Sequence, residues 1–421
     1  MKAARKRRGM TQAQLAQLST VSVRTLRDLE LDLTRQPRQD TVRLLLDNLR
    51  LTNQQRAEIE SAAGGFPGLN LCDASVPPPA AVKRIIGRDR DVSALTALLK
   101  SGAQRLVQVR GVAGVGKTRL LQEVATTIHA TLDMPIVWTG QESPTDPPQG
   151  LARLLAAVLR GEQGSDEAVA RIGVNRVLLI VTAHEVPVQT EHLLGLLERC
   201  PELRIVHETR DTAPRPDAAD YLVLPLQGLD RPVGDASAVD AGRHPALHLL
   251  LSRCPAPYGE SPGEVRALVR LCRQLDGIPR ALESAAAWLS LYPPSELLDL
   301  VERDPFTVAV PVGGAAGGLW QAFVKLAASL PAADAVPLGA LAGIAEPWTV
   351  EEALSVLASA GQLDGHARIY RLWASGLLRP VDGDHGRAVV EPDRRRFTVL
   401  NLVRHALAWP GTWEPAAARH R

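Results

Sequence analysis

The 421-residue sequence predicts a multidomain protein: an all-α N-terminal domain, an α/β domain with a parallel sheet, an all-α helical domain and a C-terminal domain of winged-helix type. The chain is too long for one ordinary core, because single domains cluster near about 100–150 residues. Short apolar strands alternate with helical segments only in its middle, which is typical of a parallel sheet covered by helices. After residue 228 the pattern becomes helical. The composition, 45% hydrophobic and 22% charged, excludes global disorder.

Residues 1–63 are predicted to form a small helical domain with a basic surface. The segment TQAQLAQL, the break STVS and the segment VRTLRDLEL predict helix, tight turn and helix. Residues 1–62 contain twelve Lys and Arg against seven Asp and Glu, whereas the whole chain carries a net charge of only +2. A surface for a polyanion must therefore be local, and it lies at the N-terminus. Residues 64–84 are rich in Gly and Pro without periodicity and predict a linker.

Residues 85–230 are predicted to form the α/β domain. Its expected strands are, in chain order, residues 106–109, 134–139, 176–181, 203–209 and 221–226. The first strand runs directly into GVAGVGKT, and a helical segment follows this motif. The motif matches GxxxxGK[ST] in full and predicts a P-loop NTPase domain.

The P-loop motif predicts a site for a purine nucleotide, ADP or ATP, with Mg²⁺. Its glycines let backbone N–H groups converge on phosphates, and the next helix adds positive charge at its N-terminus. Lys117 is expected to reach the β- and γ-phosphates, and the Thr118 hydroxyl to bind Mg²⁺. The predicted contacts from this motif are Gly111, Ala113, Gly114, Val115, Gly116, Lys117, Thr118 and Arg119. The alternative is a Gly-rich turn with a structural role only.

An acid that P-loop ATPases use to hold the water shell of Mg²⁺ is missing from its expected place. The strand VLLIV ends in Thr182, where the acid is expected, and Glu185 follows three residues later. Either Glu185 substitutes from a displaced position, or Mg²⁺ coordination is weakened and turnover is slow or absent. The sequence therefore favours nucleotide binding over catalysis, and it assigns no catalytic residue.

The remaining chain is predicted to divide into a helical domain at residues 231–305 and a winged-helix-like domain at residues 306–421. In the latter a β-like piece, RFTVL, precedes the helix LVRHALAW. The four cysteines, Cys72, Cys200, Cys254 and Cys272, have no metal-ligand spacing and predict reduced thiols. The N-terminus has no secretory signal pattern, and the longest aliphatic run, residues 177–181, is too short for a membrane span. We expect a cytoplasmic protein without a membrane partner.

The order IIGRDRD, GVAGVGKT, ETR and DGIPRAL, across residues 85–409, resembles the NB-ARC (STAND) group of signal-transduction ATPases. This resemblance implies that ADP sits between the nucleotide domain and the helical domain. It places Ile86, Gly87 and Arg88 beside the adenine, lets Arg210 sense the terminal phosphate, and closes Pro279 over the base. The Met-His-Asp position of the family, whose His contacts ADP, appears here as Val399-Leu400-Asn401. The ADP-bound resting state is therefore expected to be weaker or to be held by other contacts.

The segment GMTQAQLAQLSTVSVRTLRDLE resembles the helix-turn-helix of phage-repressor (XRE-like) regulators. The resemblance implies that Ala16 lets two helices cross closely, that Val23 pins the second helix, and that this helix enters the major groove of double-stranded DNA. The implied DNA contacts are Gln12, Ser22, Arg24, Thr25, Arg27, Arg35 and Arg38. Arg35 and Arg38, with the basic residues at positions 2–8, suit phosphate contacts. The alternative is a protein-interaction domain with a solvated basic face.

Three functional hypotheses follow. The leading one is a transcription regulator whose DNA binding is switched by ADP or ATP, with two copies meeting half-sites about one DNA turn apart. The second is an ATP-hydrolysing signalling or defence ATPase that uses DNA only for localisation. The third is a static DNA-binding protein with a nucleotide-free scaffold.

Overall fold

The computed structural model describes the N-terminal part in pieces and most of residues 85–408. The described N-terminal residues are Arg5, residues 10–30 and six positions between 41 and 49. Within residues 85–408 the gaps lie at 133, 140–149, 163, 174, 183–187, 210–220, 232–243, 255–257, 259–260, 309–317, 345–346, 363 and 382–394. Several sequence predictions therefore fall outside the described residues, namely the linker at 64–84 and the positions Arg35, Arg38, Cys72, Glu185 and Arg210.

The N-terminal domain contains the predicted helix, turn and helix, α1 (Gln12–Leu18) and α2 (Val23–Glu30). Thr11 and Gln14 form a reciprocal capping box that satisfies backbone N–H groups at the start of α1. In the turn, Thr20 adopts a left-handed φ of 53°. The helices enclose a small core that contains Leu15, Ala16, Leu26, Leu45, Leu46 and Leu49.

The prediction that Val23 pins α2 into this core is wrong. Val23, the first residue of α2, is 47% exposed. Val21, which lies in the turn before the helix, packs against the core instead. Ala16 is buried in this core, at 3% exposure, and its role at the helix crossing stays a prediction.

The α/β domain is built as the alternating pattern predicts, with each expected strand present and shifted at its ends by at most two residues. Its elements are α3 (Asp89–Ser101), β1 (Leu106–Arg110), α4 (Lys117–Leu132), β2 (Ile136–Thr139), α5 (Leu151–Leu159), α6 (Ser165–Ile172), β3 (Val177–Thr182), α7 (Thr190–Arg199), β4 (Leu203–Thr209) and β5 (Tyr221–Pro225).

The five strands form one parallel sheet in the order β2-β3-β4-β1-β5. Strand β4 therefore lies directly beside β1, and β3 is one strand further away. Apolar side chains cover both faces, with α3 and α4 contributing to one core and α5 to α7 to the other. In register, Glu208 of β4 stands beside Val109 of β1 on one side and Thr182 of β3 on the other.

The helical region consists of α8 (Pro245–Arg253), α9 (Pro262–Gln274), α10 (Pro279–Trp288) and α11 (Pro294–Arg303). Each begins with a proline, which suits the first helical position because its N–H would lack an intrahelical partner there. The helix face predicted from the sequence is buried as expected, at Val265, Leu268, Cys272 and Leu275. These side chains belong to the same continuous core as α3 and α4.

The C-terminal region contains α12 (Leu319–Ser329), α13 (Ala332–Ala342), α14 (Val350–Ser359), α15 (Gly365–Ala374), β6 (Leu378–Val381), β7 (Arg396–Val399) and α16 (Asn401–Ala408). Strands β6 and β7 pair in antiparallel fashion, and the predicted β-like piece forms β7. The assignment of this region as a winged helix, and the domain boundaries, stay predictions. No helix in the described part of the chain is alone long and apolar enough to cross a membrane; only the bent pair α12 and α13, at 117°, satisfies that test together.

Candidate nucleotide and nucleic-acid sites

The P-loop connects β1 to α4 and has a backbone that glycine favours. Gly114 and Gly116 adopt left-handed φ values of 76° and 99°, a region that residues with a Cβ enter only at a cost. Helix α4 begins at Lys117, so the loop leads straight into a helix N-terminus with unsatisfied N–H groups. Such a terminus favours an anion.

A cavity of about 460 Å³ lies over this loop. Its walls come from the lead-in segment, the P-loop, β4 and the helices α8 and α10. The lining residues are Ile85, Ile86, Arg88, Gly114, Val115, Gly116, Lys117, Thr118, Arg119, Glu208, Leu229, Leu249, Arg253, Pro279, Arg280 and Glu283. The cavity thus lies between the α/β domain and the helical region.

Of the twelve predicted nucleotide contacts that the structure describes, nine line this cavity and three do not. The predicted residues in the lining are Ile86, Arg88, Gly114, Val115, Gly116, Lys117, Thr118, Arg119 and Pro279. Gly111 and Ala113 are outside the lining, and a Cβ on Gly111 would lie 2.7 Å from the Leu226 carbonyl oxygen. Gly87, also outside, has a φ of +68° and lies so close to Pro245 that an added Cβ would be 2.2 Å from its Cβ. These glycines allow close packing around the site.

A cluster of charged and polar side chains, the buried Lys117 and Glu208 and the half-buried Thr118, lines the cavity. The Lys117 ammonium donates to the carbonyl oxygens of Gly111 at 3.0 Å and Val112 at 3.2 Å. The Thr118 hydroxyl donates to Glu208 Oε2 at 2.7 Å. Glu208 Oε1 lies 4.0 Å from Lys117 Nζ, and Glu208 is only 5% exposed. A carboxylate therefore lies beside both P-loop side chains that were predicted to contact phosphate and metal.

Sequence reasoning missed Glu208 because it sought the acid at the end of β3. Thr182, at that place, donates its hydroxyl to the Thr139 carbonyl oxygen at 2.7 Å and is 2% exposed. Glu208 stands beside it in register, one strand nearer to the P-loop. The signal was present in the motif ETR, where this acid lies near the end of a buried strand.

Arg88 braces the site through backbone contacts. Its guanidinium donates to the carbonyl oxygens of Val115 at 3.0 Å and Gln227 at 2.5 Å, and it pairs with Asp91 at 3.0 Å. Burial lowers the pKa of this guanidinium, and the neighbouring Asp91 opposes that shift. Arg88 lines the cavity, but its donors hold the P-loop and the segment after β5 together.

The helical region touches the P-loop directly. The Arg280 backbone N–H donates to the Gly114 carbonyl oxygen at 3.2 Å. A Cβ on Gly114 would lie 2.9 Å from both Arg280 Cβ and Leu319 Cδ1, so α10 and α12 both approach the loop. On the rim, Arg253 donates to Glu283 Oε1 at 3.3 Å.

The turn between α9 and α10 links this site to the C-terminal region through Asp276. Its carboxylate accepts from the Leu402 backbone N–H at 2.8 Å, which satisfies a donor in the first turn of α16. Arg231 lies 3.7 Å from the same carboxylate. Arg379 of β6 donates to the Asp276 carbonyl oxygen at 2.8 Å and to that of Leu229 at 3.1 Å. Burial raises the pKa of the Asp276 carboxyl, whereas Arg231 and the α16 N–H groups oppose this.

Asn401 occupies the position where the resemblance places a Met-His-Asp motif. Its side-chain amide donates to the backbone carbonyl of Gln274 at 2.9 Å and to the side-chain oxygen of that residue at 2.7 Å. Leu400, at the position of the histidine, is 2% exposed. This position therefore fixes α16 onto the end of α9.

Of the predicted DNA-contacting residues in and just before α2, the two arginines are exposed and the two hydroxyl side chains are hydrogen-bonded to each other. Arg24 and Arg27 are exposed. Ser22 caps α2, since its Oγ accepts from the Thr25 backbone N–H at 3.0 Å and lies 2.7 Å from Thr25 Oγ1. Arg24 and Arg27 are thus the described side chains available to reach a duplex without breaking a contact.

Gln12 is already engaged within the N-terminal domain. It donates to Glu30 Oε2 at 2.7 Å. Arg5 forms a two-pronged contact with the same carboxylate, at 2.6 Å and 2.8 Å. The predicted phosphate contacts of Gln12 and of Arg5 would compete with this arrangement, which holds the end of α2 near the start of α1.

Fold and site together define a P-loop ATPase module joined to a helix-turn-helix domain. The chain belongs to the AAA ATPase domain family, whose model matches residues 84–368, and a helix-turn-helix model matches residues 1–52. The predicted combination of an N-terminal helix-turn-helix domain and a P-loop ATPase domain is thereby confirmed.

Curated relatives come from mycobacteria and carry names that describe them as HTH-type transcriptional regulators. Proteins of this name from Mycobacterium bovis and from two strains of Mycobacterium tuberculosis are 26% identical over 377 residues, covering 72% of this chain. The match covers 40% of each relative, so the chain spans well under half of their length.

Two solved structures align over most of the chain with low similarity. One is a STAND protein with a tetratricopeptide repeat sensor from Pyrococcus horikoshii, at 17% identity and a TM-score of 0.29, covering 79% of this chain and 43% of that one. The other is a chain of Drosophila ORC bound to DNA, at 16% identity and a TM-score of 0.28, covering 81% and 92%. At these scores neither likeness supports a functional conclusion.

Proposed function

We propose that the chain is a DNA-binding transcription regulator in which a purine nucleotide, ADP or ATP with Mg²⁺, controls how the helix-turn-helix domain is presented to DNA. The main support for this proposal is that both the α/β domain and the helical region contribute walls to the P-loop cavity. A ligand that contacts both parts favours the arrangement in which both contacts form. The names of the mycobacterial relatives support the regulatory role.

The lining of the cavity suits both parts of a nucleotide. Lys117 and the start of α4 offer positive charge to phosphates. Ile85, Ile86, Leu249 and Pro279 supply apolar surface for a purine ring. We propose the lining residues predicted from the sequence as the nucleotide site.

The proposed DNA contacts are centred on α2. Arg24 and Arg27 are exposed on a short helix that starts with a Ser22 cap, and arginine is the commonest reader of guanine in the major groove. A homo-oligomer would place two such helices on half-sites about one helical turn of DNA apart. Arg35 and Arg38 are proposed, from the sequence, as phosphate contacts.

The test measures DNA binding as a function of bound nucleotide. Duplexes that the protein selects from a random-sequence pool are titrated in a gel-shift assay with nucleotide-depleted protein, with ADP and with a non-hydrolysable ATP analogue, all with Mg²⁺. We expect the two nucleotide states to differ by at least about fivefold in DNA affinity, the lower end of allosteric coupling. Lys117→Ala should abolish this difference, and Lys100→Ala, an exposed lysine of α3, should preserve it. Nucleotide binding without any change in DNA affinity would contradict the switch.

Glu208 favours one alternative function, an ATP-hydrolysing signalling or defence ATPase that uses DNA only for localisation. A buried acid beside Thr118 supplies part of what hydrolysis requires. Steady phosphate release that Lys117→Ala abolishes would favour this alternative. A static scaffold is the remaining hypothesis, and co-purification of ADP with the protein would eliminate it.

A further inference from the structure

We propose, on the basis of the proposed nucleotide binding, that Glu208 makes this binding dependent on a divalent cation. Without a metal ion its carboxylate repels the phosphates from the cradle. With Mg²⁺ the same carboxylate helps to hold the ion, so that metal and nucleotide enter together.

The repulsive half of this proposal follows from charge and burial. Glu208 is 5% exposed and contacts both Lys117 and Thr118, so little water screens it from a phosphate bound there. Lys117 carries one positive charge, and Glu208 already lies 4.0 Å from it. A diphosphate placed against this pair adds at least two negative charges, and a bound cation is then the largest compensating charge.

The attractive half follows from the oxygen ligands that Mg²⁺ prefers. Thr118 Oγ1 and Glu208 Oε2 lie 2.7 Å apart, close to the roughly 3 Å between neighbouring oxygens around an octahedral ion with bonds of about 2.1 Å. The donor set therefore fits Mg²⁺, which neutralises developing charge on phosphates when bound. The described residues contain no cluster of three or more His, Cys, Asp or Glu able to hold a metal. The ion must then take further ligands from phosphate and water, as Mg²⁺ does at nucleotide sites.

The order of the strands explains how a carboxylate on β4, that of Glu208, can take the place of the acid expected on β3. The acid expected at the end of β3 is replaced by Thr182, whose hydroxyl is bound to the Thr139 carbonyl oxygen. Glu208 stands next to Thr182 in register on the strand that pairs with β1. The carboxylate thus lies one strand nearer to the P-loop than expected, on β4 in place of β3, and there it contacts Thr118 at the proposed metal position.

The experiment measures cation dependence directly on the full chain. Binding of mant-ADP is titrated by fluorescence in Mg²⁺ and in EDTA, and Mn²⁺ binding in the presence of ADP is followed by EPR. For the unaltered protein we expect affinity in EDTA at least about tenfold weaker than in Mg²⁺. Glu208→Gln should reduce this ratio to within about threefold, by tightening binding in EDTA, and should weaken Mn²⁺ binding about tenfold.

Two further variants separate the effect of the Glu208 charge from a general structural effect of the substitution. Glu208→Asp keeps the carboxylate and should keep the cation dependence. Glu198→Gln makes the same change at an exposed position of α7 and should leave both readouts unchanged. An unaltered Mg²⁺-to-EDTA ratio in folded Glu208→Gln would overturn this inference alone. Absence of mant-ADP binding to the unaltered protein in either buffer would overturn the proposed function, and this inference with it.

Discussion

Gly114 shows at the scale of one residue how closely the P-loop and the helical region approach each other. Its φ of +76° and the 2.9 Å distance from an added Cβ to Arg280 Cβ mean that a methyl group strains the backbone and pushes α10 away. Gly361 has nearly the same φ, +75°, but open space around it. The two positions therefore separate backbone strain from crowding at the cavity.

We predict that Gly114→Ala weakens mant-ADP binding by about tenfold or more, because the loop and α10 must move apart. Both Gly114→Ala and Gly361→Ala should cost about 1–2 kcal/mol of stability through the left-handed backbone. Only the first should affect nucleotide affinity. Fluorescence titration and denaturant unfolding measure the two effects, and equal nucleotide affinity in both variants would show that the α10 contact is irrelevant to the site.

Cys272 illustrates how burial changes the chemistry of a single side chain. Burial raises the pKa of its thiol to about 12, so the reactive thiolate is suppressed in the folded protein. We predict that iodoacetamide at pH 8.5 leaves Cys272 unlabelled in folded protein and labels it rapidly in denaturant, as peptide mapping by mass spectrometry would show. Because the folded pKa lies above the ordinary value, this thiol favours folding most below about pH 8.5 and less as the pH rises toward 12. Rapid labelling without denaturant would contradict the burial.

At the scale of elements, sequence periodicity predicts which segments form strands and which helix faces are buried. It does not predict the order in which the strands lie in the sheet. The strands and the buried face of α9 follow from runs of side chains that are near neighbours in the chain. The order β2-β3-β4-β1-β5 depends on long-range pairing, so the sequence could not show that Glu208, rather than an acid on β3, reaches Thr118. Val23 was misplaced for a related reason, since its exposure depends on where α2 begins.

Helix α2 is the element on which DNA recognition depends in the proposed function. We predict that Arg24→Ala costs about 1–3 kcal/mol on the selected duplex and relaxes preference at one base position. Arg303→Ala, at an exposed position in the last turn of α11, is the matched control and should have no effect. Gel shifts against single-base variants of the duplex measure the preference. Unchanged base preference would remove Arg24 from the reading residues.

At the scale of the whole molecule, Asp276 connects three parts of the chain. Its carboxylate accepts from a backbone N–H in the first turn of α16, and its carbonyl oxygen accepts from Arg379 of β6. The same carboxylate pairs with Arg231, which lies just after the α/β domain. Pro279, which lines the cavity, lies three residues further along the chain, at the start of α10. A shift of the turn between α9 and α10 on nucleotide binding would therefore alter contacts with the C-terminal region.

We predict that Asp276→Asn loosens the C-terminal region and uncouples it from the nucleotide. The amide keeps the shape but removes the charge, and loss of one partner of a buried ion pair costs about 3 kcal/mol or more. Asp299→Asn, at an exposed position of α11, is the matched control. For Asp276→Asn we expect a lower unfolding midpoint, faster limited proteolysis between β6 and α16, and a smaller effect of ADP on both. If ADP protected this variant as strongly as the unaltered protein, the link between Asp276 and the cavity would be disproved, because the nucleotide signal would then reach α16 by another route.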